Sequence, residues 1–263
     1  MTKIAVLGGG QIGEALVSGL IAAGFPAADV VVTNRRQARS AELEETYGVS
    51  TTSNNEQAIA GADYVFLCVK PYAIIELLEG LHPGKESVFI SMAAGLTLNA
   101  LEAAVPQGTP VIRVMPNTPM LVGAGMSTLA PGTAVSEEQT AQVVKLLESV
   151  GEVEVIADKD MDAAAALQGS APAYFFLIAE ALIDAGVQLG LTRDSAQRMV
   201  TQTIAGSGKM LTDSGRDPVT LRANVTSPGG TTAAALRELE ESGLRGAFFR
   251  AAEACAQRSK ELG

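Results

Sequence analysis

Near the C-terminus the chain reads SPGGTTAAAL, from Ser227 to Leu236. Pro228, Gly229 and Gly230 leave the backbone bare, two threonines follow, and alanines begin a helix. Glycine pairs commonly mark turns and threonine commonly caps a helix, so one reading is a tight turn with its N-cap. The same stretch also presents free N–H groups at a helix N-terminus, which suit an anion. A second glycine-rich stretch lies at the other end of the chain. Gly8, Gly10 and Gly13 form a GxGxxG between an apolar run and a helical pattern, with Gln11 and Ile12 inside it. There the glycines allow a tight turn, close approach of a pyrophosphate and close packing of helix on strand, which points to a dinucleotide.

The residues after the second apolar run select among dinucleotides. An NAD site usually places Asp or Glu there to accept bonds from the ribose hydroxyls. This chain has Asn34, Arg35 and Arg36. A guanidinium binds a 2′-phosphate through paired, charge-assisted bonds, whereas a carboxylate repels it. NADPH is favoured and NADH stays open; one of the two arginines is equally readable as a solvated surface charge.

Candidate acids and bases are scarce. Reduction of a ketone or aldehyde generates an alkoxide and normally wants a positioned acid. The only histidine is His82, in LHPGKE, which reads as a polar turn. Lys70 and Tyr174 remain as candidate acids, but Lys70 sits in CVKP at the carboxyl end of a strand pattern, where cofactor contact suits it better. No spacing of His, Cys or carboxylates suggests a metal. A protonated C=N already attracts hydride and leaves a neutral amine, so the protein need only bind, align and desolvate it. The scarcity of acids therefore tilts the reading towards an imine.

Composition sets the frame for these sites. The chain has 263 residues, 47% hydrophobic and 18% charged, enough apolar material for a buried core and far from a disordered composition. A net charge of -10 argues against a nucleic-acid or anionic-membrane surface but not against small anions. Cys68 and Cys255 lie far apart, match no zinc or redox spacing, and suit a reducing compartment as small buried hydrophobes. The N-terminal apolar run is too short for a signal peptide. The most hydrophobic stretch, APAYFFLIAEALIDAGVQLGL, carries Glu180 and Asp184 without basic flanks, which fits a buried helix better than a membrane span. A soluble, cytoplasmic protein is expected.

The elements that must position the sites follow from hydrophobic patterning. KIAVLG, DVVVTN, DYVFLCV, SVFISMA and TPVIRVM read as strands, and EVEVI as a weaker one. Helical patterns such as GEALVSGLIAAG and EEQTAQVVKLLESVG lie between them, so the first part is predicted as βαβ units in a doubly wound parallel sheet of the Rossmann type. From about Asp158 the strand signals vanish and helix follows helix. The expected division is a dinucleotide-binding domain over 1–157 and an all-helical domain over 158–263. The helix from Ala171 is apolar nearly all round, so it needs burial on every side, and a second subunit is inferred to supply part of the cover.

The run LRANVTSPGGTTAAALRELE, Leu221 to Glu240, resembles the signature of pyrroline-5-carboxylate reductases. The resemblance covers essentially the whole chain, through GGGQIGEALVSGL, FLCVKP, SMAAGL, RVMPNTP, QGSAPAYFF and GSGKML in order. It implies NAD(P)H-dependent reduction of 1-pyrroline-5-carboxylate to L-proline, the last step of proline biosynthesis. It further implies that the substrate carboxylate is held at Gly230, Thr231 and Thr232, with the Thr232 hydroxyl on the ring nitrogen. Asn224 and Ser227 match positions near cofactor and substrate. Asn55 matches a contact on the adenosine side of the cofactor. Val69, Lys70 and Pro71, with Ala93, Ala94 and Gly95, match its ribose and nicotinamide wall, and Met115, Pro116 and Asn117 its nicotinamide side. The chain departs from the family pattern GSGPAY, with Ala171 adding a methyl at a helix start. The resemblance also implies a homodimer through interlocked helical domains, with rings of dimers as a further state.

Two other readings stay open. A β-hydroxyacid dehydrogenase of the same two-domain plan would need a positioned lysine in the helical domain, for which Lys159 and Lys209 are in range. A protein that senses NADPH without turnover would have no need of the SPGGTT loop.

Overall fold

The computed structural model describes residues 2–262 other than 83, 85 and 86, so Pro83, Lys85 and Glu86 of the LHPGKE turn lie outside the described residues. The chain forms two compact units, one of residues 1–170 with 254–263 and one of residues 171–253.

In the first unit the strands are β1 (Ile4–Leu7), β2 (Val30–Thr33), β3 (Ser50–Thr52), β4 (Tyr64–Leu67), β5 (Val88–Ser91), β6 (Val111–Met115), β7 (Gly125–Pro131) and β8 (Gly151–Val155). Its helices are α1 (Gln11–Ala22), α2 (Gln37–Tyr47), α3 (Asn55–Ile59), α4 (Ile74–Glu79), α5 (Leu98–Ala103), α6 (Glu137–Leu147) and α7 (Met161–Ala164). The strands make one eight-stranded sheet in the order β3-β2-β1-β4-β5-β6-β7-β8. Every pairing is parallel except β6 with β7. The first six strands thus follow the doubly wound dinucleotide-binding order.

The strand residues alternate between the two faces, as the pleat requires. Ile4 and Val6 of β1 join one hydrophobic cluster with Leu16, Val17 and Leu20 of α1, Leu43 of α2 and Leu147 of α6. Ala5 and Leu7 join the other with Ile59 of α3, Ile74 and Leu78 of α4 and Leu101 of α5. Burial on both faces explains the near-continuous apolar runs that mark these strands in the sequence. Two strands were not anticipated. β3 is STT, short and polar at the sheet edge. β7 is GMSTLAP, whose glycine, hydroxyls and terminal proline read as loop, yet it turns antiparallel onto β6.

After α7 the chain makes a π turn over Ala165–Gly169. The second unit then holds α8 (Ala171–Gln188), α9 (Arg193–Asp213), α10 (Pro218–Asn224) and α11 (Thr231–Glu241); α12 (Leu244–Leu262) begins there and ends in the first unit. α8 and α9 pack closely where a Cβ on Gly186 would stand 3.0 Å from the Cβ of Ala196. Along α8, Phe175, Phe176 and Leu177 remain 59%, 68% and 66% exposed in the single chain. By length and composition alone the helical stretch 158–188 is apolar enough to cross a membrane. Burial of α8 on every side is therefore not met within one chain, as the inference of cover from a second subunit requires.

Candidate active site

The glycine loop after β1 has the backbone that its sequence demands. Gly8 has φ +111°, and a Cβ there would stand 2.9 Å from the carbonyl group of Cys68. A Cβ on Gly13 would lie 2.1 Å from the Gly8 oxygen, so α1 can pack this closely on the loop only with glycine there. Gly10 is the N-cap of α1, has no side-chain cap, and open space surrounds the position of its missing Cβ. The amides of Gln11 and Ile12 thus start a helix whose positive dipole end is uncapped by protein, which suits a pyrophosphate.

Sequence reasoning missed Gly9 of this loop and Arg39 of α2, which bonds to it. A Cβ on Gly9 would meet Leu43 Cδ1 at 2.6 Å. The Gly9 carbonyl accepts from Arg39 Nε at 3.1 Å and from Asn34 Nδ2 at 3.4 Å. Arg39 also donates to Glu42 at 2.9 Å and pairs with Glu14; its bond to Glu42, followed by those to Glu14, holds the guanidinium above its ordinary pKa against the cost of burial. Nothing in the α2 pattern QARSAELEETY separates this arginine from a solvated helix residue; only the fold brings it to Gly9.

Asn34 Oδ1 accepts from the Arg36 amide at 3.0 Å, so Asn34 joins the glycine loop to the turn after β2. Arg35 and Arg36 are exposed, and α2 starts beside them with no side-chain cap. Asn55 opens α3, which Asn54 caps by accepting from the Gln57 amide at 3.1 Å.

Val69 is half-buried, and the exposed Lys70 precedes the 3-10 turn Pro71–Ala73. Ala93 is buried, Ala94 exposed, and Gly95 takes φ +79°. After β6, Met115 is half-buried and Pro116 buried. The Asn117 amide is engaged at both ends, donating to the Gln168 carbonyl at 3.1 Å and accepting from the Met126 amide at 2.9 Å. All these segments leave the carboxyl ends of parallel neighbours. β2 to β6 is four steps across the sheet, roughly 19 Å at about 4.8 Å per step, a span that suits an extended dinucleotide. The glycine cradle, the uncapped α1 and the exposed arginines fit an NADP-type cofactor.

Arg113, only 6% exposed, donates to Asp158 at 2.8 Å. Burial pushes the Cys68 thiol up to about 12, so it stays protonated and unreactive near neutrality. The exposed His82 ring lies 3.1 Å from Glu56 and holds that carboxyl below its usual range. Among the described residues no group of His, Cys, Asp and Glu could hold a metal.

In the second unit, Asp217 caps α10 by accepting from the amides of Val219 and Thr220 at 2.9 and 3.1 Å. The Thr220 hydroxyl, foremost, holds its carboxyl below the usual range. α10 ends at Asn224, which is exposed. In the loop that follows, Gly229 takes φ +68° and the Gly230 amide donates back to the Ser227 carbonyl at 3.1 Å. A Cβ on Gly230 would stand 2.3 Å from Ser227 Oγ. Gly230 is the N-cap of α11 and no side chain caps the helix. Thr231 and Thr232 therefore lie inside the first turn rather than at the cap, and their hydroxyls do not close off its amides. An uncapped helix start behind a glycine turn leaves amides free to meet an anion such as a carboxylate. Lys209, by contrast, pairs with Asp213 at 2.5 Å on the exposed side of α9, and Lys159 stands in the turn Asp158–Asp160.

A family model for pyrroline-5-carboxylate reductase dimerisation matches residues 158–262, and one for coenzyme F420-dependent NADP oxidoreductase matches residues 3–95. The chain is 54% identical to a pyrroline-5-carboxylate reductase of Corynebacterium melassecola, covering 100% of this chain and 99% of that protein. It is 44% identical to one of Mycobacterium tuberculosis, covering 100% and 97%. A solved structure of a pyrroline-5-carboxylate reductase from Coxiella burnetii superposes with a TM-score of 0.94 at 38% identity, covering 100% of this chain and 98% of that one. A pyrroline carboxylate reductase structure from Plasmodium falciparum with NADP bound gives 0.87 at 32%, covering 100% and 98%.

Proposed function

This chain belongs to the pyrroline-5-carboxylate reductase family, and from that premise we propose how its residues carry the reaction. The enzyme reduces the C=N bond of 1-pyrroline-5-carboxylate to L-proline with NADPH, the closing step of proline biosynthesis. The observation that carries the reading is the full-length likeness to these reductases, joined to a carboxylate seat at the uncapped start of α11.

The working division is 1–157 for the cofactor and 158–263 for substrate and dimerisation. Gly8, Gly10, Gln11, Ile12 and Gly13 hold the pyrophosphate by backbone amides and the α1 dipole. Arg35 and Arg36 read the 2′-phosphate, with Asn34 shaping the turn and Asn55 beside the adenosine. Val69 to Pro71 and Ala93 to Gly95 form the ribose and nicotinamide wall, and Met115 to Asn117 the nicotinamide side. NADPH, when bound, supplies the hydride. NADH is the weaker donor in this reading, since it offers no phosphate to the arginines.

The amides of Gly230, Thr231 and Thr232 bind the substrate carboxylate, with Ser227 bracing the turn and Asn224 at its edge. Thr232 donates to or accepts from the ring nitrogen and so fixes which face of the imine carbon meets the hydride. No side chain need protonate an alkoxide, which accounts for a site without histidine. A hydroxyacid substrate is disfavoured because Lys209 is engaged by Asp213.

The helical domain pairs two chains, and a ring of such dimers is the higher assembly this reading adds. The acidic surface suits neither nucleic acid nor an anionic membrane, and free Cys68 and Cys255 suit the cytoplasm. The test is NADPH oxidation with 1-pyrroline-5-carboxylate in wild type, Thr232→Ala and Thr232→Ser. Loss of one hydrogen bond to the reacting ring should lower kcat/KM about tenfold to a hundredfold in Thr232→Ala, with most of it restored by serine. Full activity in Thr232→Ala would remove Thr232 from the site.

A further inference from the structure

We propose that Gln168 is a positioning residue for hydride transfer, acting through Met115. The inference rests on the reading that Met115 to Asn117 form the nicotinamide side of the site.

Gln168 lies in the π turn Ala165–Gly169, and turns of this kind concentrate at functional sites because the extra residue redirects a side chain. Here it brings the side-chain nitrogen and the backbone carbonyl of Gln168 to Met115 and Asn117 at the end of β6. The side chain donates from Nε2 to the Met115 carbonyl at 2.8 Å and to Thr128 Oγ1 at 3.2 Å. The backbone carbonyl accepts from Asn117 Nδ2 at 3.1 Å. Thr128 in turn donates to Met161 Sδ at 3.3 Å. The orientation of the Gln168 amide is fixed by chemistry, since the Met115 carbonyl only accepts and requires the nitrogen.

The contact is also sterically tight. A Cβ on Gly169 would stand 2.5 Å from Met115 Cε, so the Met115 carbonyl is held by Gln168 while its side-chain tip passes close over the next residue. One feature is hard to reconcile with a purely structural clasp: Gln168 Oε1 is shielded from solvent and has no hydrogen-bond partner among the described residues. Buried polar atoms are nearly always paired, and this one is tolerated beside the segment assigned to the nicotinamide. Neither Lys70 nor Asn117 can take over the role, because Lys70 is on another strand end and the Asn117 amide is engaged at both ends.

A positioning role separates alignment from affinity. Most of the dinucleotide is gripped far from Met115, so NADPH binding should survive a change at Gln168 while hydride transfer slows. The experiment compares wild type, Gln168→Met and Gln168→Glu with NADPH and its 4-deuterated form on 1-pyrroline-5-carboxylate. For Gln168→Met, which keeps the volume and loses the donor, kcat should fall at least tenfold and the NADPH Kd stay within twofold. The deuterium isotope effect should rise as hydride transfer becomes limiting. Gln168→Glu donates to the Met115 carbonyl only when protonated, so its kcat relative to wild type should recover as pH falls. Unchanged kcat and isotope effect in both variants, with only a lowered Tm, would make Gln168 structural and overturn the inference alone. Wild type without turnover would overturn the functional reading and this inference with it.

Discussion

The two units close their cores in different ways. The first buries its sheet within two hydrophobic clusters built wholly from its own strands, helices and loops. The second, among its described residues, buries only Ala171 and Ala196 below the surface of the single chain, and leaves Phe175, Phe176 and Leu177 of α8 exposed. Each large apolar side chain so exposed forgoes about 1.5–3 kcal/mol of burial. The sheet unit is finished as a monomer, whereas the helical unit is finished by a second chain, which is what the dimerisation family match over residues 158–262 describes. The glycine loop after β1 and the glycine turn before α11 therefore rest on different kinds of stability.

The largest effect is expected from breaking the helical side. Phe176→Asp places a charge where the partner should cover α8 and should dissociate the dimer, as sedimentation would show. The helical unit should then melt well before the sheet unit in calorimetry, and NADPH should still bind. An intact dimer would mean that α8 is covered by something else. The converse perturbation is Gly13→Ala. Its methyl would meet the Gly8 oxygen at 2.1 Å, and neither backbone can yield without moving α1. NADPH affinity should fall about a hundredfold by fluorescence titration, some 2.7 kcal/mol, while the dimer persists. The smallest effect sharpens the comparison within the sheet unit. Ser136 and Gln139 form a reciprocal capping box on α6, so Ser136→Ala should cost about 1 kcal/mol, seen by denaturant titration as a shift in the sheet unit alone.

What the sequence made legible was whatever chemistry is local. GxGxxG between a strand and a helix needs no tertiary information, and the buried parallel strands announce themselves as apolar runs because both faces are covered. β3 and β7 escaped because edge and antiparallel strands need no such run, and STT or GMSTLAP carries no period. Arg39 and Gln168 escaped for a different reason. Each is a polar residue in a helical pattern whose partner, Gly9 or Met115, is brought to it by the fold rather than by spacing. The SPGGTT stretch was legible as a turn into a helix, but not the detail that Gly230 is the cap and the threonines fall inside α11.

The central claim, reduction of an imine by NADPH, is tested most directly by stoichiometry. Purified enzyme would be mixed with NADPH and 1-pyrroline-5-carboxylate, and proline formed would be measured against NADPH consumed. Catalytic turnover with equal amounts of the two is the expected result. A folded dimer that binds NADPH yet forms no proline would contradict it.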